Sequence, residues 1–385
     1  ARRPTCSTRQ ARRQFCLPVA ETLAQGPGAA LAHDSALKHA TGEALFIDDI
    51  PVAQNTLHLA VGSAKAVCGR IESMDLGAVR SAPGVIDVFC ANDIPGHNDV
   101  SPSGRGDEPV LADTDVRFDG EPVFAVVATS HRAARAAAVL GKVRIASEKP
   151  ILTVDDALHH QRFISDEQQM QRGDWENAMR SAPCTAAGTL YCGGQDHFYL
   201  EGQVSLAIPQ EDGDMLVHCS TQHPSEIQQH LAKVLGKPAN AITVEVRRMG
   251  GAFGGKESQA CQWAALAAVA AQRNACPVKC RLDRDDDMRM TGKRHDFRID
   301  WKVGHDADGH ILAVDTTLAS RCGCALDLSD PVNDRAMFHV DNAYFFPTVR
   351  IRSQRCFTNT VSNTAFRGFG GPQGMLAGER MIEAV

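Results

Sequence analysis

Four glycines within six positions, at 250, 251, 254 and 255, separate two stretches of opposite periodicity and dictate a turn between a strand and a helix. Residues 249–258 read Met-Gly-Gly-Ala-Phe-Gly-Gly-Lys-Glu-Ser. Ahead of them Ile242, Val244 and Val246 alternate with polar residues, the period of a half-buried strand. Behind them residues 259–274 are rich in Ala, Leu and Val, contain Trp263, and hold neither Gly nor Pro, which predicts a buried helix. A backbone without Cβ lets a ligand approach closely. The first N–H groups of a helix are unpaired and carry the positive end of its dipole, so an anion or an electron-rich oxo group is the natural guest. Glycines also serve packing alone, but four of them flanking one Phe favour a binding loop.

A second stretch reuses the device. Residues 364–374, Thr-Ala-Phe-Arg-Gly-Phe-Gly-Gly-Pro-Gln-Gly, place Pro372 at the first position of a helix that runs on toward Val385. A third turn leads from a strand at 216–220 into Ser-Thr-Gln-His-Pro-Ser, with Pro224 opening a helix to Leu235 and Gly236 closing it. Gln222 therefore stands at the mouth of that turn.

The remaining chain is mixed α and β. Residues 1–30 carry five arginines against the single acid Glu21 and read as a tail or inter-domain linker. Residues 31–153 alternate short strands with an Ala-rich helix at 131–140; strands at 116–118 and 123–128 are expected to form a hairpin across Asp119-Gly120. Residues 154–182 are polar and read as an irregular connector. From 183 to 385 a second domain follows, with a hairpin joining 297–304 to 310–318 and a short helix at 333–340 that carries Arg335.

Composition excludes several classes. A net charge of −6 gives no reason to expect nucleic acid, and no apolar run approaches the ~18–20 residues of a membrane span. Thirteen scattered cysteines without a Cys-x-x-Cys pair suit reduced thiols in a cytoplasmic protein better than a disulfide framework, zinc or iron–sulfur ligation.

Gly250-x4-Gly255-Lys256 matches a phosphate-binding loop between strand and helix. The next residue, however, is Glu257, where that motif needs a hydroxyl for magnesium, and a carboxylate would repel a triphosphate. A site assembled from several turns fits better: Gln222 offers an amide, Glu257 a carboxylate, Arg335 a guanidinium, and Phe253 and Phe369 aromatic rings. Glu257 with Arg335 could hold a flat heterocycle through charge-assisted hydrogen bonds, with Phe369 against its face. Taken singly, Arg335 reads as a surface ion pair, Gln222 as a helix cap and Phe369 as a core ring.

Four long motifs in fixed order resemble the molybdenum-cofactor part of the xanthine dehydrogenases, a family of molybdenum hydroxylases. They are Gly-Gly-Gln-Asp-His-Phe-Tyr-Leu-Glu (193–201), Arg-Met-Gly-Gly-Ala-Phe-Gly-Gly-Lys-Glu (248–257), the run from Asp283 to His295, and Ser-Asn-Thr-Ala-Phe-Arg-Gly-Phe-Gly-Gly-Pro-Gln-Gly (362–374). The resemblance covers residue 33 onward and implies an α+β fold: an α/β-hammerhead domain followed by the first part of a molybdopterin-binding domain. It implies a molybdenum–molybdopterin cofactor, with Gln222 beside a metal oxo ligand, Phe253 and Gly254 meeting the centre through their backbone, and Arg367 on the cofactor side. It further implies that Glu257 and Arg335 grip a purine and that Phe369 stacks on it, since aldehyde-oxidising members usually carry apolar residues in place of that pair. The expected reaction takes hypoxanthine to xanthine to urate with oxygen from water, electrons leaving through 2Fe–2S clusters and FAD on partner domains or a partner subunit to NAD. The complete enzyme is expected to be a homodimer.

Two departures stand out. Ala252 occupies a position where the family usually has Gly, harmless only if its φ is negative. The family's glutamate base and most pterin contacts fall in a C-terminal half beyond Val385, so this stretch alone is expected to lack turnover. The rivals are an aldehyde-oxidising relative and a non-catalytic binding or assembly module of the same fold.

Overall fold

The buried helix expected behind the first glycine loop forms, and it lies in the largest of the apolar cores among the described residues. In the computed structural model, which describes residues 31–385, it spans Ala260–Asn274 and is buried without a break from Trp263 to Ala271. Its small Ala side chains let strands approach closely, and a helix apolar all round belongs in an interior. In chain order the helices are α1 (Ala36–Thr41), α2 (Gly77–Arg80), α3 (His131–Ala138), α4 (Val154–His159), α5 (Trp175–Ser181), α6 (Pro224–Leu235), α7 (Ala260–Asn274), α8 (Arg284–Met290), α9 (Ser329–Phe338) and α10 (Gly371–Ala384). The strands are β1 (Leu57–Ser63), β2 (Gly69–Asp75), β3 (Val85–Cys90), β4 (Asp115–Val116), β5 (Pro122–Ala128), β6 (Lys142–Ser147), β7 (Gln168–Arg172) and β8 (Cys184–Cys192). They continue with β9 (Val204–Pro209), β10 (Met215–Cys219), β11 (Ile242–Glu245), β12 (Val278–Arg281), β13 (Phe297–His305), β14 (Ile311–Gly323) and β15 (Val349–Phe357). A first unit ending at Leu45 holds α1; all that follows concerns the second unit, Phe46–Val385. The tail or linker expected at 1–30 lies outside the described residues.

A seven-stranded mixed sheet, ordered β11-β10-β9-β12-β1-β5-β3, takes strands from 57–128 and from 204–281, and so runs across both expected domains. Helix α7 packs on β9 and β12, with α6 beside it. A five-stranded sheet, β7-β15-β14-β13-β8, carries α9 on β14 and β15 and α10 on β13 and β8. Its core joins Phe297, Ile299, Trp301 and Val303 of β13 to Ala336 and Met337 of α9 and Ala377 and Met381 of α10. A small separate sheet, β4-β2-β6, shares a core with β5 through Val116, Ile71, Ile145 and Phe124.

Local signals placed several elements closely. Helix α6 starts at Pro224 and ends with Gly236 in the left-handed region at φ +64°. Strands β13 and β14 pair antiparallel from Phe297↔Ser320 to His305↔Ile311, closing the expected hairpin. Helix α9 begins a turn earlier than expected, at Ser329, with Pro331 tolerated in its first turn.

Two expectations need correction. The hairpin across Asp119-Gly120 does not form: Asp115–Val116 pairs with β2, whereas β5 enters the seven-stranded sheet between β1 and β3. The reason is burial. Every residue of β5 is buried, and a strand covered on both faces needs partners on both edges. Residues 154–182 are not irregular either: they hold α4, α5 and β7, the last paired antiparallel with β15. Their polar sequence hid an edge strand, which needs few apolar residues.

Candidate functional site

Three loop-to-helix turns are tied together by hydrogen bonds. Strand β10 ends at Cys219 and α6 begins at Pro224, leaving Gln222 between them. Its backbone N–H donates to Lys256 O at 2.9 Å, and its side-chain Oε1 accepts from Gly254 N at 2.9 Å and Lys256 N at 3.4 Å. With its oxygen committed to the loop amides, Nε2 is left as a donor without a partner among the described residues, on an exposed side chain.

The two glycine loops then meet. Arg367 N donates to Phe253 O at 2.9 Å. A Cβ at Gly254 would lie 2.7 Å from Ala365 O, and φ there is +100°, so the close approach requires glycine. Phe253 and Phe369 both sit in the left-handed region, at φ +56° and +50°, a costly conformation for aromatic residues that clusters at functional sites. Ala252 is absent from that region and is buried, so its methyl group is accommodated.

The rim of these turns carries unspent polar groups. The N–H groups of Gly251, Ala252 and Phe253 reach no acceptor among the described residues, and neither do those of Gly368 and Gly370. Arg335 on α9 and Arg367 are exposed and make no side-chain hydrogen bond or ion pair among the described residues. Arg335 flanks the second loop: a Cβ at Gly371 would lie 3.8 Å from its Nε. Glu257 is half-buried and also unpartnered; burial pushes its carboxyl up, with Glu226 adding to the shift and His223 opposing it. No ion pair joins Glu257 to Arg335. The structure therefore brings Gln222, Phe253, Gly254 and Arg367 into one hydrogen-bonded cluster. It sets Arg335 and Phe369 beside the second loop, and it leaves the acid and the guanidinium open.

Beneath the loops lies a polar foundation that the sequence did not disclose residue by residue. Lys256 is fully buried; its ammonium donates to Glu201 O at 2.7 Å and Ser220 Oγ at 2.8 Å and lies 4.6 Å from the centre of the Tyr199 ring. That ammonium points into the protein, which disposes of the phosphate-loop reading. Glu201 Oε2 accepts from Ser220 Oγ at 2.6 Å and from Gly250 N at 3.0 Å. Tyr199 donates to Asp287 Oδ1 at 2.6 Å, and Gln203 Nε2 donates to Gly255 O at 2.9 Å. His197 Nε2 lies 2.7 Å from Ala365 O, and a Cβ at Gly255 would run into its ring. The available signal was the polar stretch 193–201 itself, which bridges two strands and puts His197, Tyr199 and Glu201 under the loops.

A separate cleft of about 480 Å³ is lined by Phe46, Asp48, Leu200, Arg281 and Arg284, and touches the loops only through Gly250. Its charges are met by neighbours, Asp48 by Lys279 and Arg281, and Arg284 by the Tyr199 carbonyl. The unspent groups lie elsewhere, on the open rim.

A turn cluster of this kind, with unpartnered amides and a fixed glutamine donor, has the chemistry of a protein class that holds an electron-rich group on loop backbone. The chain belongs to the molybdenum hydroxylase family: residues 157–385 match the molybdopterin cofactor-binding domain, and residues 41–149 match the α/β-hammerhead domain of aldehyde oxidase and xanthine dehydrogenase. It is 40% identical over 365 residues to xanthine dehydrogenase of Emericella nidulans, covering 93% of this chain and 26% of that protein. It is equally 40% identical over 360 residues to aldehyde oxidase 2 of Mus musculus, covering 93% and 26%. Among solved structures, the aldehyde oxidoreductase from Desulfovibrio gigas superposes with a TM-score of 0.83 at 28% identity, over 90% of this chain and 40% of that one. The chain thus spans about a quarter of the length of the curated relatives it matches. Among the described residues no helix is long and apolar enough to cross a membrane, and none of the described cysteines is in a disulfide.

Proposed function

We propose that this chain supplies one wall of the active site of a purine-oxidising molybdenum hydroxylase, acting on hypoxanthine and xanthine. The observation that carries the reading is the joined pair of glycine loops, with Gln222 Nε2 and the amides of 251–253 free, beside an unpaired carboxylate and an unpaired guanidinium. The donor set fits a molybdenum–molybdopterin group: amide N–H groups, one carboxamide donor and the Arg367 guanidinium all seek electron-rich oxygen or anionic partners. When bound, that group supplies a redox centre that accepts two electrons as oxygen from water is added to the substrate.

The chain's own residues do the binding and orienting. Gln222, Phe253, Gly254 and Arg367 hold the cofactor side. Glu257 and Arg335 take opposite edges of the heterocycle, and Phe369 lies against its face. Burial pushes the Glu257 carboxyl up, and a carboxyl group accepts when ionised and donates when protonated, which suits the N–H and C=O edges of a purine. Arg335 stabilises negative charge growing on the ring, a contribution of about 3 kcal/mol for one well-placed donor.

Identity to xanthine dehydrogenase and aldehyde oxidase is the same, so the substrate reading rests on Glu257 and Arg335 rather than on overall similarity. Gln222, Phe253, Arg335 and Arg367 are exposed on this chain, and the relatives are about four times longer. The opposite wall, the catalytic base and the 2Fe–2S and FAD domains that pass electrons to NAD are therefore assigned to the remaining length or to a partner subunit. On this reading the protein is cytoplasmic, the complete enzyme a homodimer, and these 385 residues alone lack turnover.

The test is Glu257→Val with Arg335→Met in the complete enzyme. The ratio of kcat/KM for hypoxanthine to that for a small aldehyde is expected to fall by more than about a hundredfold, the loss that one interaction of about 3 kcal/mol gives by itself. An unchanged ratio rejects the purine assignment. Purified protein without molybdenum or pterin fluorescence supports a binding or assembly role instead.

A further inference from the structure

We infer that Arg294 is the positioning residue of the second glycine loop, setting where Arg367 and Phe369 face a bound cofactor and heterocycle; the identity of those guests rests on the proposed function. Arg294 lies between α8 and β13 and is only 9% exposed. Its guanidinium carbon stands 3.9 Å from the centre of the Phe366 ring, a stacking cation–π contact. Its Nη2 donates to Arg367 O at 2.8 Å, and its Nε donates to Gln195 Oε1 at 2.8 Å. Its backbone is fixed as well, Arg294 N donating to Gln195 O at 2.9 Å.

These contacts grip the loop where it matters. Arg367 is held on both sides, its N–H by Phe253 O and its carbonyl by Arg294. Phe366, under the guanidinium, accepts the Phe369 N–H at 2.7 Å, so the left-handed Phe369 hangs from the residue that Arg294 stacks upon. The His197 ring lies 4.7 Å from the same Phe366 ring.

Packing alone does not account for this choice. Arg294 forms no ion pair among the described residues, and its Nη1 is buried without a partner. A buried, uncompensated charge is costly, and an apolar side chain of similar volume would bury at lower cost. Only a flat, forked cation both stacks on Phe366 and holds the Arg367 carbonyl. Lysine keeps the charge but lacks the planar face.

The experiment is hydrogen–deuterium exchange on the full-length protein carrying R294K or R294M. In both variants the hydrogen-bonded amides within 364–370, those of Thr364, Arg367 and Phe369, are expected to exchange at least about tenfold faster, while 250–257, anchored by Gln222 and Glu201, stay within about twofold of wild type. In the cofactor-loaded enzyme, R294K is expected to raise KM for hypoxanthine about tenfold with kcat within about threefold, because the Phe369 stacking face moves while Gln222 and, in the first loop, Phe253 and Gly254 stay anchored. Wild-type exchange at 364–370 in R294K overturns the inference, as does a fall in kcat at unchanged KM. Should R294M fail to fold, R294K decides alone. The exchange arm needs neither cofactor nor substrate, so it stands or falls separately from the purine reading.

Discussion

The carbonyl of Phe253 accepts the N–H of Arg367 at 2.9 Å, joining two glycine loops more than a hundred residues apart in the chain. The contact exists because Gly254 presents no side chain toward Ala365 and Phe366. Gly254→Ala is expected to push the loops apart: its Cβ would sit 2.7 Å from Ala365 O, at a φ of +100° that alanine resists. The predicted cost is on the order of 2 kcal/mol in urea unfolding, with molybdenum occupancy of the complete enzyme down at least about tenfold. A variant with wild-type occupancy would show that the junction does not shape the cofactor site.

Gln222 separates two jobs by atom. Gln222→Ala removes the acceptor for Gly254 N and Lys256 N and is expected to cost about 1 kcal/mol. Gln222→Glu keeps an acceptor oxygen there but replaces the outward donor with an anion. Its stability should match wild type within about 0.5 kcal/mol while cofactor occupancy collapses. Full molybdenum content in the glutamate variant would mean that the Nε2 donor is not used.

Lys256 and Glu201 form the buried pair under the first loop, with Nζ 3.6 Å from Oε2. Lys256→Met strands a carboxylate that is almost wholly buried, and should destabilise the protein by about 3 kcal/mol. Glu201→Gln in that background should recover part of the loss, because the neutral amide tolerates burial. Strictly additive costs in this double-mutant cycle would show that the two side chains do not sense each other.

Legibility in the sequence followed the range of the interaction. Pro224 and Gly236 fixed α6 to the residue, because a helix start and stop are decided within a turn of chain. The strand, four glycines and Ala-rich helix fixed the first loop for the same reason. Pairing across sheets was hidden: β5 is apolar throughout, and nothing local says its partners are β1 and β3 rather than β4. Strand β2, Gly-Arg-Ile-Glu-Ser-Met-Asp, is mostly exposed and gave no alternation to read. In the site, the types and motif positions of Gln222 and Glu257 were visible. The contacts that fix the loops, Glu201 to Lys256 and Arg294 to Arg367, join residues 55 and 73 positions apart and leave no periodic trace.

The raised Asp327 carboxyl predicts a pH dependence of stability with a definite sign. Asp327 sits just before α9, is 3% exposed, holds φ +41°, and neither carboxylate oxygen makes a well-formed hydrogen bond among the described residues, the nearby hydroxyls being poorly aligned. Burial pushes its pKa up from 3.8 to about 6, and the hydroxyls of Ser258 and Thr364 offset only part of that. The folded protein thus holds this proton more tightly than the unfolded chain does. The associated stability is fully present below about pH 4 and is lost as pH rises through 6, on the order of 2–3 kcal/mol in all. Asp327→Asn has no such proton to lose, so its unfolding free energy relative to wild type should climb between pH 4 and pH 6 and level off above. Glu108 moves with it: burial raises its carboxyl, Asp327 raises it further, and the substitution should bring it back toward its ordinary range. Urea unfolding of both proteins at pH 4, 5, 6 and 7 checks this, and a difference that stays flat across the range would falsify it. Because Ser258 follows Glu257 and Thr364 opens the second loop, with their hydroxyls 3.3 Å apart, charging Asp327 acts at the base of both glycine loops at once.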